Sequence, residues 1–162
     1  MKPKLFEVST CDSNIHKQII TIIEGFESKD YFSNLIGKSQ PEQKAIVARF
    51  QNDLCDKLSS EIIEIEWELE YQPNIDARDA IDIFGISENF VIAIELDKHR
   101  ADQVAKKFIS RSALLSNKTI FFISLCYPGT TNMQINETKK YFKYCKILSE
   151  KIGNDYAGFI II

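Results

Sequence analysis

With 162 residues, 44% of them hydrophobic and 27% charged, the chain is long enough for one core and short for two, so a single domain over 1–162 is expected. A net charge of −3 and a pI near 5.5 exclude binding nucleic acid by bulk attraction; any such partner must meet a local basic patch. Cys11, Cys55, Cys126 and Cys145 lack CxxC spacing, no secretory leader is read, and no apolar stretch is long enough for a bilayer, so reduced thiols, a cytoplasmic location and no membrane partner are expected.

Residues 12–27 carry Ile15, Ile19, Ile22, Ile23 and Phe26 at helical spacing, with Asp12 or Ser13 as cap. After a polar connection over 29–40, Ser39-Gln40-Pro41-Glu42 resembles a helix start. Ala45, Ile46, Phe50, Leu54 and Leu58 form the stripe of a second helix to about Ser59. Residues 61–71 alternate cleanly, with Ile63, Ile65, Trp67, Leu69 and Tyr71 on one side and Glu64, Glu66, Glu68 and Glu70 on the other. A strand with one packed and one acidic face follows; the glutamates fit a solvated outer face, with Glu68 as the one that would face a functional cluster in the alternative reading.

The next segment organises the rest. Residues 81–84 and 90–96 are rich in Ile, Val and Phe, and Gly85, Ser87, Glu88 and Asn89 between them supply turn chemistry, so an antiparallel hairpin is predicted. Side chains alternate along a strand. Asp82 therefore lies opposite in face to Asp79, Ile81 and Ile83, and Glu95 shares a face with Asp97. A register that sets Asp82 beside the end of the second strand gathers three carboxylates at one sheet edge, an arrangement that needs a cation or protons.

Beyond the hairpin, Ala101, Val104, Ala105, Phe108 and Leu115 line one side of a helix from about Arg100 to Leu115, and Arg100, Gln103, Lys107 and Arg111 form a stripe on the opposite side. Residues 119–127 read as a central strand. A helix from about Asn136 to Ile152 follows, with Tyr141, Phe142, Cys145, Leu148 and Ile152 inward and Gly153 as its stop, and 157–162 form a last strand. The result is an α/β fold, a mixed sheet flanked by helices with right-handed crossovers.

Carboxylates at Asp82, Glu95 and Asp97 are the oxygen ligands that Mg²⁺ or Mn²⁺ prefers, and a basic helix beside them can hold a phosphodiester backbone. Together they suggest metal-assisted phosphodiester hydrolysis. Asp97, just before Lys98-His99-Arg100, also fits a plain helix cap. With no histidine pair and no clustered thiols zinc is not expected, and neither a GxxxxGK[ST] loop nor a GxGxxG loop occurs.

The run Asp82-Ile83-Phe84, a hairpin, and Val91-Ile92-Ala93-Ile94-Glu95-Leu96-Asp97 resembles the core of the PD-(D/E)XK, or restriction-endonuclease-like, nucleases. The order of elements over about 12–126 is similar to their αβββαβ core, to which a C-terminal αβ is added here. The resemblance implies Asp82 as the first acid, Glu95 as the second, and Asp97 at the place of the motif lysine. That lysine positions or activates the attacking water in the family, and an aspartate lacks its charge. Three rescues are open: Asp97 as a third metal ligand, Lys98 turned inward by a bulge, or Lys107 or Gln103 reaching over from the helix. The favoured reading takes Asp82, Glu95 and Asp97 as metal ligands, with Lys107 joining them in catalysis. Lys98, His99, Arg100, Gln103, Lys107 and Arg111 meet the phosphates of DNA, with RNA as an alternative substrate. The resemblance also implies a homodimer. The rival is a catalytically silent module of the same fold that binds protein or nucleic acid.

Overall fold

The structure, a computed structural model, describes residues 1–10, 12–73, 79–98, 100–115, 118–129 and 134–162. Its elements in order are β1 (Pro3–Val8), α1 (Asn14–Gly25), α2 (Lys29–Phe32), α3 (Gln40–Glu61), β2 (Glu66–Tyr71), β3 (Ile81–Ile86), β4 (Phe90–Lys98), α4 (Ala101–Leu114), β5 (Thr119–Tyr127), α5 (Ile135–Lys151) and β6 (Asp155–Ile161). The strands form one mixed sheet in the order β1-β6-β5-β4-β3-β2. β2, β3 and β4 are an antiparallel meander, β4, β5 and β6 run parallel, and β1 closes the far edge antiparallel to β6.

Alternation along the strands divides the core between two faces. Ile92, Ile94 and Leu96 of β4 pack with Ile19 and Ile23 of α1, Phe32 of α2 and Phe50, Leu54 and Leu58 of α3. Val91 and Ala93 pack with Val104 and Phe108 of α4 and Phe142 and Cys145 of α5. The parity that sends Val91 and Ala93 toward α4 also sends Glu95 and Asp97 there. Cys55, Cys126 and Cys145 are buried free thiols, and Cys11 lies outside the described residues. Among the described residues no helix is long and apolar enough to cross a membrane.

Local signals held where they were self-contained. The Ser13 side chain accepts from His16 N to open α1. Glu42 accepts from Ser39 N at 2.9 Å to open α3, with Pro41 in the first turn. Gly153, at φ +75°, follows α5 and adopts the left-handed conformation that most side chains resist.

Four expectations are corrected. Residues 3–8, read as no element, form β1, because β6 has a free edge that an N-terminal segment can pair with. The strand expected over 61–71 is shorter. α3 persists through Glu61, Ile62 N donates to Leu58 O, and Ile63 lies outward, 86% exposed, so the alternation before Glu66 is coincidence. The inward side of α5 is Thr138, Phe142, Cys145 and Ser149, while Leu148 and Ile152 are exposed. Gly158 sets that phase: a Cβ there would lie 2.5 Å from the Phe142 ring, so only glycine lets the ring rest on β6. Finally, Ile81 and Ile83 pack on opposite faces, against Ile81's expected parity. The pairing between β2 and β3 skips Glu70 and Asp82, and Glu70 takes a φ of 50°. The strand pair therefore turns over beside Asp82.

Candidate functional site

Ile83 pairs with Ile94, so one further step along β3 and β4 brings Asp82 beside Glu95. Asp82 Oδ2 then accepts from Leu96 N at 2.7 Å, which fixes the carboxylate at the C-terminal end of β4. Glu95 and Asp97 project from the same end toward α4. This is the edge convergence that the hairpin implied.

Lys107, one side chain from α4, reaches all three acids. Its Nζ lies 2.9 Å from Glu95 Oε2, 3.4 Å from Asp82 Oδ2 and 3.9 Å from Asp97 Oδ2, and donates to Leu96 O at 2.9 Å. One turn further along the helix, Arg111 Nε donates to Glu95 Oε1 at 2.8 Å and its Nη1 lies 3.1 Å from Asp79 Oδ1. Both oxygens of Glu95, itself only 2% exposed, thus face a cation. Asp97 is held more loosely: its buried Oδ2 accepts no hydrogen bond among the described residues and has the Lys107 ammonium at 3.9 Å.

The titration balance follows from burial. Glu95 is pushed up to about 7 by removal from water and by the nearby Asp82 charge, against the pull of Lys107 and Arg111. Asp97 is pushed up to about 6, again by burial first, with Lys107 opposing. For Lys107 burial acts to lower the value, yet Glu95, Asp82 and Asp97 together outweigh it and hold the ammonium charged. The difference is geometric: the lysine faces three carboxylates, whereas Glu95 faces cations and another carboxylate at once.

Of the basic stripe read from the sequence, Lys107 and Arg111 turn out not to lie on an open phosphate-binding face. Arg111 is 6% exposed and its guanidinium is held by Glu95 and Asp79. The apolar residues Val104 and Phe108 seat α4 on the sheet so closely that the neighbouring 107/111 positions turn toward the acids. Arg100 stays exposed and pairs with Asp102, to which Gln103 also donates. Lys98 does not bulge inward to the acids. It points to the α3 side, where Nζ donates to Gln43 Oε1 at 2.9 Å, and its stem crosses Gly129 so closely that a Cβ there would lie 2.6 Å away. His99 lies outside the described residues. Of Lys98, Gln103 and Lys107, Lys107 is the one that reaches the acids.

Three contributors were not singled out. Asp79 anchors Arg111. Gln51 of α3, buried, donates from Nε2 to Glu70 Oε1 at 2.8 Å and to Asp82 O at 2.5 Å, holding the backbone where the β2–β3 pairing lapses. Glu70, and not Glu68, is therefore the strand glutamate tied to the site, although both are exposed. The signal for Gln51 is present in the sequence, since it shares the helical spacing of Leu54 and Leu58, and an amide on a buried stripe must find partners.

Asp82, Glu95 and Asp97 are hard oxygen donors of the kind Mg²⁺ or Mn²⁺ takes, and the buried Oδ2 of Asp97, which accepts no hydrogen bond among the described residues, fits such an ion. Among the described residues, however, no group of three acidic, histidine or cysteine side chains is preformed for a metal. The acids converge on the Lys107 ammonium. The arrangement can thus hold a cation at the C-terminal ends of β4 and β5, with an additional ion requiring the lysine to shift. Compared with known proteins, the chain matches no family model, no curated protein and no solved structure.

Proposed function

We propose that this chain is a metal-dependent nuclease that hydrolyses DNA phosphodiester bonds, with a restriction-endonuclease-like core formed by α3, β2, β3, β4, α4 and β5. The observation that carries the reading is the Lys107 ammonium, 2.9 to 3.9 Å from carboxylate oxygens of Asp82, Glu95 and Asp97. It supplies, from the following helix, the positive charge that Asp97 cannot supply from the strand. The order of those elements, and the parallel pairing of β4 with β5, add support.

Asp82, Glu95 and Asp97 would hold Mg²⁺ or Mn²⁺, whose chemistry when bound is to acidify water and offset the charge growing on the phosphate. Lys107 places an ammonium beside the scissile group, where it orients the attacking water and stabilises developing negative charge. Arg111 and Asp79 hold Glu95 in place from behind. Arg100 and Gln103, at the start of α4, and Lys98, on the α3 side, would contact the flanking phosphates. A homodimer would let two such sites act on opposite strands.

The test is a Mn²⁺ titration by calorimetry followed by cleavage of plasmid and single-stranded DNA and of RNA. Asp82→Asn and Lys107→Met should each abolish Mn²⁺-dependent cleavage, and only Asp82→Asn should also weaken Mn²⁺ binding. Absence of cleavage on every substrate with saturating Mn²⁺ would overturn the reading. One observation favours a second, silent module: both Glu95 oxygens already face protein cations, so the cluster is partly neutralised without metal. Nucleic-acid or protein binding without cleavage would establish it.

A further inference from the structure

A cleft of about 370 Å³ opens between α3 and the C-terminal end of β4, and Asp82 forms part of its wall. That volume falls in the range of small-molecule sites. Crevices beyond the carboxyl ends of parallel strands are where open α/β sheets take ligands. The lining divides by chemistry. Val47, Leu96 and Tyr127 make an apolar floor, and the Tyr127 ring is stiffened by Phe32 stacked behind it at 5.2 Å. Lys44 and Lys98 bring two ammonium groups, with Lys98 oriented by Gln43, facing a wall that carries Glu70 and Asp82, the first of them held by Gln51. Lys44 is exposed on α3.

We propose that this cleft is a nucleotide subsite, which receives the nucleoside adjoining the phosphate held at the acid cluster. The proposal rests on the nuclease reading for its orientation, though nucleotide binding itself needs no metal. An apolar floor suits the face of a flat heterocycle, and the two lysines suit the phosphate attached to it. Asp82 joins the two halves. Its side chain is held by Leu96 N and approached by Lys107, while its carbonyl is held by Gln51 in the cleft wall. Asp82 is thus common to the acid cluster and the cleft, and a strand with its phosphate at Lys107 passes it to reach the cleft. Gly129 belongs to the same design: only glycine leaves the Lys98 stem room to cross to this side.

Amide chemical shifts of the ¹⁵N-labelled chain, without metal, decide the matter with three probes: dAMP, inorganic phosphate and a short single-stranded oligonucleotide. dAMP should shift the amides of Lys44, Val47, Leu96 and Lys98 and bind at least about tenfold more tightly than inorganic phosphate. The oligonucleotide should move the same amides together with those around Lys107. Lys44→Glu and Ala48→Trp both alter exposed positions; the first should weaken dAMP by about tenfold, and the second, which fills the cleft, should abolish its shifts. Equal affinity for dAMP and phosphate, shifts confined to another surface, or unchanged binding in Ala48→Trp would overturn the subsite. Metal-dependent cleavage with no dAMP binding in the cleft would sink the subsite and spare the nuclease. dAMP binding in the cleft of a chain that cuts nothing would do the reverse.

Discussion

The Lys107 ammonium lies 2.9 Å from Glu95 Oε2, a contact between the middle of α4 and the buried end of β4 that ties the helix to the sheet at the acid cluster. The neighbouring Arg111 bond to the other Glu95 oxygen, at 2.8 Å, makes the tie bidentate. Two cations serve the carboxylates of Asp79, Asp82, Glu95 and Asp97, so removing either has consequences beyond the loss of one bond.

Lys107→Met is expected to lower stability by roughly 1–3 kcal/mol at pH 8, below the usual range for a broken buried ion pair because Lys107 is itself 25% exposed. The loss should shrink at pH 5. There Glu95 and Asp97, with values near 7 and 6, are largely protonated and need the ammonium less. Urea unfolding at the two pH values checks this, and an equal loss at both would contradict the role given to Lys107.

Asp97→Asn should stabilise the chain at pH 8 by roughly 1–2 kcal/mol and have little effect at pH 5. A buried carboxyl raised to about 6 holds its proton more tightly folded than unfolded, so its contribution falls as pH rises from near 4 through 6. The amide removes that penalty. A destabilised variant at pH 8 would mean that the 3.9 Å contact with the Lys107 ammonium outweighs the burial of the Asp97 charge.

Mn²⁺ should raise the melting temperature more at pH 8 than at pH 6. Ligands that titrate near 6 and 7 must lose their protons before they bind a cation, so metal affinity grows across that window. Asp82→Asn, whose amide oxygen can still accept from Leu96 N, should remove most of the shift. A metal-induced shift that is flat with pH would place the ion elsewhere.

Gly158→Ala is expected to cost about 1–3 kcal/mol, because the added methyl meets the Phe142 ring where no void can absorb it. Denaturation of the variant measures the cost. If it is as stable as the parent, Gly158 does not set the phase of α5.

Much of the site was readable from local rules. The alternation of residues 90–97 placed Glu95 and Asp97 on one face, and the hairpin turn set the pairing that brings Asp82 beside them. The 3.6-residue period of α4 grouped Lys107 with Arg111, which meet the same Glu95, while Arg100 and Gln103 pair with Asp102 instead. Period alone says nothing about how far a helix sinks onto a sheet, and so a stripe that reads as solvated in isolation became, at Lys107 and Arg111, a row of buried ion pairs. Gln51 was hidden for a related reason: its amide bonds with Glu70 and Asp82 exist only because the β2–β3 ladder lapses there.

The sequence by itself determined β3 to β6, the helices α1, α3, α4 and α5, and the acids that share a face, because these depend on periods of two and 3.6 residues within one segment. The tertiary structure alone decided that β1 borders β6, that Phe142 rests on Gly158, and that the cation meeting the acids is Lys107 and not Lys98. Each of these depends on distances across layers, where one methyl group or one helical step changes which side chains can touch.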